Sequence, residues 1–452
     1  MRNVVLKGTG IALLIMMVSL LRSPTVQATD IQVNVGQSIQ KAINQSQPGD
    51  TVIIQKGTYT ELLTIDKSIV LTGEEGAVID GAEDGNVITI IGNAVTINGL
   101  TVQNSGSNQT DSGIYVQEGS NHVIKDNVFK DTMHGIYVNK SKDNVISRNQ
   151  ISSVSEHFSN RGSGIFILGG DGHTIEDNRM MRVQDGIYAE SASNLILRNN
   201  TALGSRYGLH LMFAEDVLAE NNHMESNITG LMIMDSKRIK VMDNEVINQF
   251  HVRGFGLLIY ESNDLLLQGN EIRQNSTGLS LEKTVDVEIK RNIISANQVG
   301  LEFIGENINN IFTENNFIAN IVQSKISNNE MQLDNGEVGN YWDDYSSFDI
   351  TGEGIGEETY KAGSLYDQLL EKQPYWQFFF ESPSITLWSQ AESFFPSLSA
   401  DVYDEHPLVE PVLLADNESA EAETGRDIGA LIVAMTFLWF SILLIWLGRK
   451  FT

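Results

Sequence analysis

The segment Tyr207–Asp235, "YGLHLMFAEDVLAENNHMESNITGLMIMD", carries His210, Met212, His223, Met224, Met232 and Met234. The 452-residue chain holds 13 Met, 8 His and no Cys, so this is a concentration of its soft donors. His210 and Met212 are two apart, as are Met232 and Met234, and the two pairs lie 22 residues apart. In a strand that spacing puts both members of a pair on one face. Imidazole with thioether suits Cu(I), whereas Mg²⁺ and Ca²⁺ take oxygen ligands. The same side chains also suit an adaptable protein contact, and the two readings are compatible. The lack of Cys excludes disulfides, iron–sulfur clusters and thiolate zinc sites.

The elements that place these residues follow from a repeat. A Gly followed by Ile or Leu, then alternation, recurs at Gly113, Gly135, Gly164, Gly186, Gly208, Gly230, Gly256, Gly278 and Gly300. The steps are 22 residues except for one of 29 and one of 26. Eight residues before most of these Gly stands an Asn: Asn127, Asn178, Asn200, Asn222, Asn270 and Asn292. A unit of short strands cannot bury its apolar side alone, but stacked units can. The pattern predicts a right-handed, single-stranded parallel β-helix, an all-β solenoid of ~22-residue coils about 4.8 Å apart. Recurrent Gly is expected to serve tight corners, and stacked Asn an amide ladder. "PGDTVIIQKGTYTE" resembles the opening of pectin-lyase-like β-helices. Ser38–Asp50 reads as a short amphipathic helix capping the open end, and the repeat fades after about Val322.

Within each Gly strand the residue after Gly points inward, so His210, Met212, Met232 and Met234 point outward as a two-by-two block about 5 Å on a side. Phe166, Tyr188, Leu258 and Tyr260 extend it into neighbouring coils, an apolar surface of the kind that marks an interaction site. The 29-residue step inserts "SSVSEHFSNRGS" with His157, and the 26-residue step inserts "NQFHVRG" with His251. Both loops enter from one corner and bracket the block, so His157 and His251 are further candidate contacts to copper or a partner. His223 and Met224 fall on another face, and His122, His134 and His173 read as ordinary surface residues at turns.

The formal charge of −28 argues against nucleic acid and anionic membrane surfaces and favours a cation as small partner. Residues 1–28 read as a signal peptide, with "IALLIMMVSLL" as apolar region and "VQA" before the cleavage point. Residues 29–100 form the cap and first coils, 101–338 the repeat coils, 339–415 a closing segment and extension, and 416–427 an acidic stalk. Residues 428–448 read as a transmembrane helix and 449–452 as a cytoplasmic tail, since Arg449 and Lys450 follow the span. The bulk of the chain is therefore expected outside the membrane, in the periplasm or on the outer face.

An enzyme on such a solenoid needs clustered carboxylates with a base. None aligns in the coil strands: Asp343–Asp344 lies past the repeats and "DEHP" at Asp404–Pro407 falls outside the solenoid. The chain reads as a non-enzyme. A carbohydrate-binding or carbohydrate-active role is the alternative, with Tyr115, Tyr137 and Tyr188 as sugar platforms.

"YGLHLMFAEDVLAENN", "GNYWDDYSSFDITGEGIGEETY" (Gly339–Tyr360) and the tail from "SPSITLWSQ" to "VYDEHPLVEP" together resemble the NosD family. That resemblance implies an extracytoplasmic accessory protein for assembling the copper centres of nitrous oxide reductase. The implied partners are the ATPase and membrane subunits of an ABC transporter, a copper chaperone lipoprotein and the reductase; the cargo is copper or a sulfur species. It carries His210 and Met212 by motif, while Met232 and Met234 rest on geometry. "DITGEGIGEE" only loosely matches a calcium loop, with Asp349, Thr351 and Glu353 as candidates and Thr351 where a carboxylate belongs.

Overall fold

In coil after coil the chain turns a corner on one residue in the left-handed region followed by one asparagine. The pairs run Asp126–Asn127, Arg148–Asn149, Asp177–Asn178, Asn199–Asn200, Asn221–Asn222 and Asp243–Asn244, the first of each with φ between 52° and 57°. That backbone state costs an ordinary residue roughly 1–2 kcal/mol, and the asparagine offsets it. Asn127 donates its amide N–H and side-chain Nδ2 to Oδ1 of Asn149 one coil on, each at 3.1 Å, and Nδ2 also reaches the Ile97 carbonyl. The same bonds repeat through Asn178, Asn200, Asn222, Asn244, Asn270, Asn292, Asn315 and Asn340. The expected ladder therefore exists and includes Asn149, Asn244, Asn315 and Asn340, which lie off the spacing first noted.

The computed structural model describes residues 28–153, 160–327, 331–361 and 402–413. The chain divides into two units, residues 1–410 and 411–452, of which the second is described only at 411–413. Three parallel sheets of 13, 12 and 13 strands run the length of the solenoid, each strand pairing with its counterpart one coil away. The Gly strands form the 12-stranded sheet, in the register Tyr188↔His210↔Met232↔Leu258. Inward-facing Ile, Leu and Val from all three sheets fill the core with almost no exposure.

The strand glycines act differently from the expectation. None of the nine has a positive φ. A Cβ on Gly208 would instead lie 2.6 Å from the Gly230 carbonyl and would also strike the Met224 sulfur beneath it. Close approach of one coil to the next, not corner geometry, excludes a side chain here.

The helix α1 (Ile39–Gln45) is shorter than the expected segment. Ser38 caps it by accepting from the Lys41 amide, and Ile39, Ala42 and Ile43 cover the first coil. Asp50 closes the following turn by accepting from the Gln47 amide at 2.7 Å.

The other end closes later than expected. Strands continue at Val322–Ser327 and Tyr341–Trp342, and Trp342 stacks between Phe317 and Tyr360. Strand Val402–Asp404 then returns to pair with Met331–Gln332 and Tyr360–Lys361. Asp404, expected outside the solenoid, is fully buried and ends the asparagine ladder. Its Oδ2 accepts from the Asn340 amide (2.8 Å), Asn340 Nδ2 (3.0 Å) and Trp342 Nε1 (3.1 Å), and its Oδ1 from the His406 amide. Burial pushes its carboxyl up to about 6 despite these donors.

Among the described residues no helix is long and apolar enough to cross a membrane. The expected leader through residue 27, the acidic stalk, the span 428–448 and the tail 449–452 lie outside the described residues, as does His157.

Candidate metal centre

His210 lies in strand Tyr207–Met212 and Met232 in strand Thr229–Met234, directly paired in register; Met212 pairs with Met234 in the same way. The two-by-two block thus has the expected geometry. Its exposure does not. His210 and Met232 are 7 % and 8 % exposed, while Met212, Met234, Phe166, Tyr188, Leu258 and Tyr260 are partly buried. The outward face is covered by its own neighbours rather than open as a patch.

The cover is an aromatic stack that ends on the imidazole. Tyr137, Phe166, Tyr188 and His210 lie with successive ring centroids 4.7, 4.8 and 4.3 Å apart and planes within 16° of one another. Tyr115 meets Tyr137 edge-on, and Tyr207 meets His210 edge-on. Parallel strands place identical positions one above another, so a column of rings stacks without any further device.

Beneath the stack lies a charged pair that sequence reasoning missed. Asp185 is 1 % exposed and opens its strand at the position paired with Tyr207. Arg206 grips it with two bonds, Nε to Oδ1 at 2.8 Å and Nη2 to Oδ2 at 2.6 Å. His210 Nδ1 lies 3.1 Å from the same Oδ2. Burial pushes the Asp185 carboxyl up, but the bonds and charges of His210 and Arg206 outweigh it and hold it below the usual range. An ionised carboxylate only accepts, so Nδ1 carries a proton, and in the neutral ring Nε2 is then the nitrogen with the lone pair. That Nε2 is buried and has no hydrogen-bond partner.

Tyr188 completes the surroundings. Its hydroxyl donates to Glu190 Oε2 at 2.8 Å and lies 3.6 Å from the Met212 sulfur. Burial, then the bond to Glu190, raises its pKa well above the ordinary phenol value. Beside the Glu190 carboxylate and the Tyr188 hydroxyl, this face offers one imidazole nitrogen and the thioethers, and those softer donors fit a soft monovalent cation. No cluster of three or more His, Cys, Asp or Glu able to hold a metal occurs among the described residues.

The remaining candidates fall elsewhere. His251 is exposed in its loop, where Nδ1 accepts from the Arg253 amide. His223 and Met224 lie in another sheet, as expected; His223 Nδ1 meets Glu245 at 2.6 Å. His122, His134 and His173, expected at the surface, are buried. His122 and His173 occupy a corner column with Asn144 and accept backbone amides through Nδ1. Burial holds each near 4. In the loop around Asp349, the carboxylate is engaged by the amides of Gly352 and Gly354 and by the Thr351 hydroxyl, while Thr351 and Glu353 are exposed. The loop is a turn closed by its own carboxylate.

Comparison with known proteins gives two kinds of match. The model of the family described as "Periplasmic copper-binding protein (NosD)" matches residues 43–157 and 147–347. A protein of Pseudomonas aeruginosa named "Probable ABC transporter binding protein NosD" is 27 % identical over 373 residues, covering 78 % of this chain and 86 % of the relative. One of the same name from Stutzerimonas stutzeri is 25 % identical over 374 residues, covering 78 % and 85 %. Among solved structures, a PL6 alginate lyase in complex with a trisaccharide superposes with a TM-score of 0.54 at 14 % identity, covering 66 % of this chain and 81 % of the other. A mannuronan C-5 epimerase A-module from Azotobacter vinelandii gives 0.51 at 16 %, covering 64 % and 90 %. At such identities the likeness is one of fold alone.

Proposed function

The chain belongs to the NosD family of periplasmic copper-binding proteins, and on that premise we propose that it receives and passes on Cu(I) through His210 and Met232, with Met212 and Met234 as neighbouring donors. The ion is cargo. It would be handed between a copper chaperone lipoprotein and nitrous oxide reductase while the protein is engaged with the ATPase and membrane subunits of an ABC transporter, and a C-terminal helix would tether it to the membrane. The relatives are named as transporter-binding proteins, in keeping with a non-catalytic role.

The observation that supports this reading is the orphaned Nε2 of His210. A buried ring nitrogen without a partner is costly. Asp185 holds the opposite nitrogen, the arrangement that fixes a ligand histidine's tautomer and raises its basicity. Met232 lies beside it in register, so a shift of one flexible thioether opens the nitrogen to an ion. The sugar-platform reading draws less support, since Tyr137 and Tyr188 have their ring faces against neighbouring rings.

Anaerobic Cu(I) titration of the purified protein against a competing chelator tests the proposal. One tightly held ion, lost in His210→Ala/Met232→Ala, is the expected result. Unchanged stoichiometry and affinity in that double variant would remove the site.

A further inference from the structure

One of the two 13-stranded sheets bends along a line parallel to the solenoid axis. In five successive strands the second residue holds a left-handed φ of 53° to 58°: Asn194, Asp216, Arg238, Asp264 and Asp286. The bend opens a trough of about 690 Å³, lined by these residues and by the outward side chains two positions further on. A second cavity of about 350 Å³ shares Asp286 and Glu288 with it and continues to Ile311. All of these residues fall in the stretch 160–327, which is described without a gap.

The floor is apolar where an outward face should be polar. Its column runs Ile196, Leu218, Lys240, Leu266, Glu288 and Ile311 in register, one residue per coil. Ile196 is 36 % and Ile311 39 % exposed, and Leu218 and Leu266 are half-buried. The stem of Lys240 continues the strip between the two leucines.

The rim carries charge that the fold does not use. Arg238 neutralises Asp216 with bonds of 2.7 and 3.1 Å, and Lys290 meets Glu288 at 2.6 Å. Asp264 and Asp286 are exposed in adjacent coils, and neither has an ion pair among the described residues; Asp286 receives only the Asn309 amide at 3.1 Å. Two carboxylates stacked one coil apart repel each other, and Lys240 alone faces them as an unpaired cation. The complement is a segment with apolar side chains along its centre and an excess of Lys or Arg at one flank. A second copy of this chain, at −28, is a poor match.

Spacing decides the conformation of that segment. The floor offers one contact per coil, about every 4.8 Å. Helix anchors at i, i+3, i+4 and i+7 average about 5.3 Å along the helix axis. Alternate residues of an extended strand are about 6.7 Å apart and lose step within two coils. We propose that this trough docks an amphipathic α-helix of a partner protein, lying along the solenoid axis with its apolar stripe on Ile196, Leu218 and Leu266 and its basic flank on Asp264 and Asp286. The trough is on a different sheet from His210, so the docking face stands or falls without the copper reading.

The test is fluorescence anisotropy of dye-labelled 18-residue peptides with the full-length protein at physiological ionic strength. One probe, of Leu, Lys and Glu with net positive charge, has Leu at i, i+3, i+4 and i+7; a second, of the same composition, has Leu at alternate positions. Saturable one-to-one binding of the helical-period probe is expected, at least tenfold tighter than that of its counterpart. Asp264→Asn/Asp286→Asn and Leu218→Ser/Leu266→Ser should each weaken it at least tenfold, and all four side chains point outward, so these variants keep the core intact. Glu83→Gln/Asp84→Asn, which removes two exposed carboxylates outside the trough, should leave it within twofold, as should His210→Ala. Equal loss in the Glu83/Asp84 variant would mean that the general negative field holds the peptide, and would overturn the proposal. So would tighter binding of the alternating probe, no saturable binding, or affinity unchanged in either trough variant.

Discussion

His210 and Asp185 sit 25 residues apart in the chain and 3.1 Å apart in space, and the carboxylate decides which imidazole nitrogen is left bare. Arg206 holds that carboxylate by a two-bond grip, so the tautomer is set by a buried relay rather than by solvent.

Changing Asp185 to Asn should therefore weaken Cu(I) binding roughly 10- to 100-fold, the usual effect of losing the partner behind a ligand histidine. Chelator competition measures it, and affinity within twofold of wild type would mean that Asp185 plays no part in presenting the ring.

The buried histidines set an acid limit. His122 and His173 titrate near 4 in the fold against 6.5 unfolded. Depressed values mean that the unfolded chain takes up the protons first, so stability present above pH 6.5 falls as pH drops toward 4. The loss is on the order of 3 kcal/mol per histidine. Asn144 does the same corner work with no titrating group. His122→Asn/His173→Asn should flatten the denaturation-versus-pH curve between 6.5 and 4, and an unchanged slope would reject this assignment.

Asp404 runs the other way. Its folded value of about 6 lies above the ordinary 3.8, so its contribution is full below 3.8 and lost as pH rises through 6. Asp404→Asn removes that dependence, on the order of 3 kcal/mol across the window. Asp404→Ala leaves Asn340 and Trp342 donors unmet at about 1–3 kcal/mol each, and hydrogen exchange at Tyr341–Trp342 should rise first. Protection equal to wild type there would show that the last coil closes without this carboxylate.

Gly208→Ala should destabilise by about 1–3 kcal/mol through overpacking, read by chemical denaturation, although the backbone angle there suits alanine. A neutral result would show that the coils can separate enough to admit a methyl group.

The solenoid was legible because its causes are periodic: Gly returns where coils touch, and Asn returns where the chain bends. The corner histidines were legible too, in retrospect. His122, Asn144 and His173 each stand five residues before a ladder asparagine, at Asn127, Asn149 and Asn178, so the repeat itself placed them in one column. The anchoring of His210 was not, because it depends on a carboxylate and an arginine from two coils, and strand alternation says where a side chain points but not which groups meet it. Asp404 was hidden for a simpler reason: it lies 64 residues beyond Asn340 in chain length, where no repeat leads.

The asparagine ladder also imposes a timetable on a chain made from its N-terminus. Asn127 donates forward to Asn149, and Asn149 to Asn178, so each corner waits for the coil after it. A polypeptide emerging through a membrane would grow like a polymer with one reactive end, seeded by α1 and always one unit short of completion. Arrival of Asp404, an acceptor with no side-chain amide to offer onward, is the termination step.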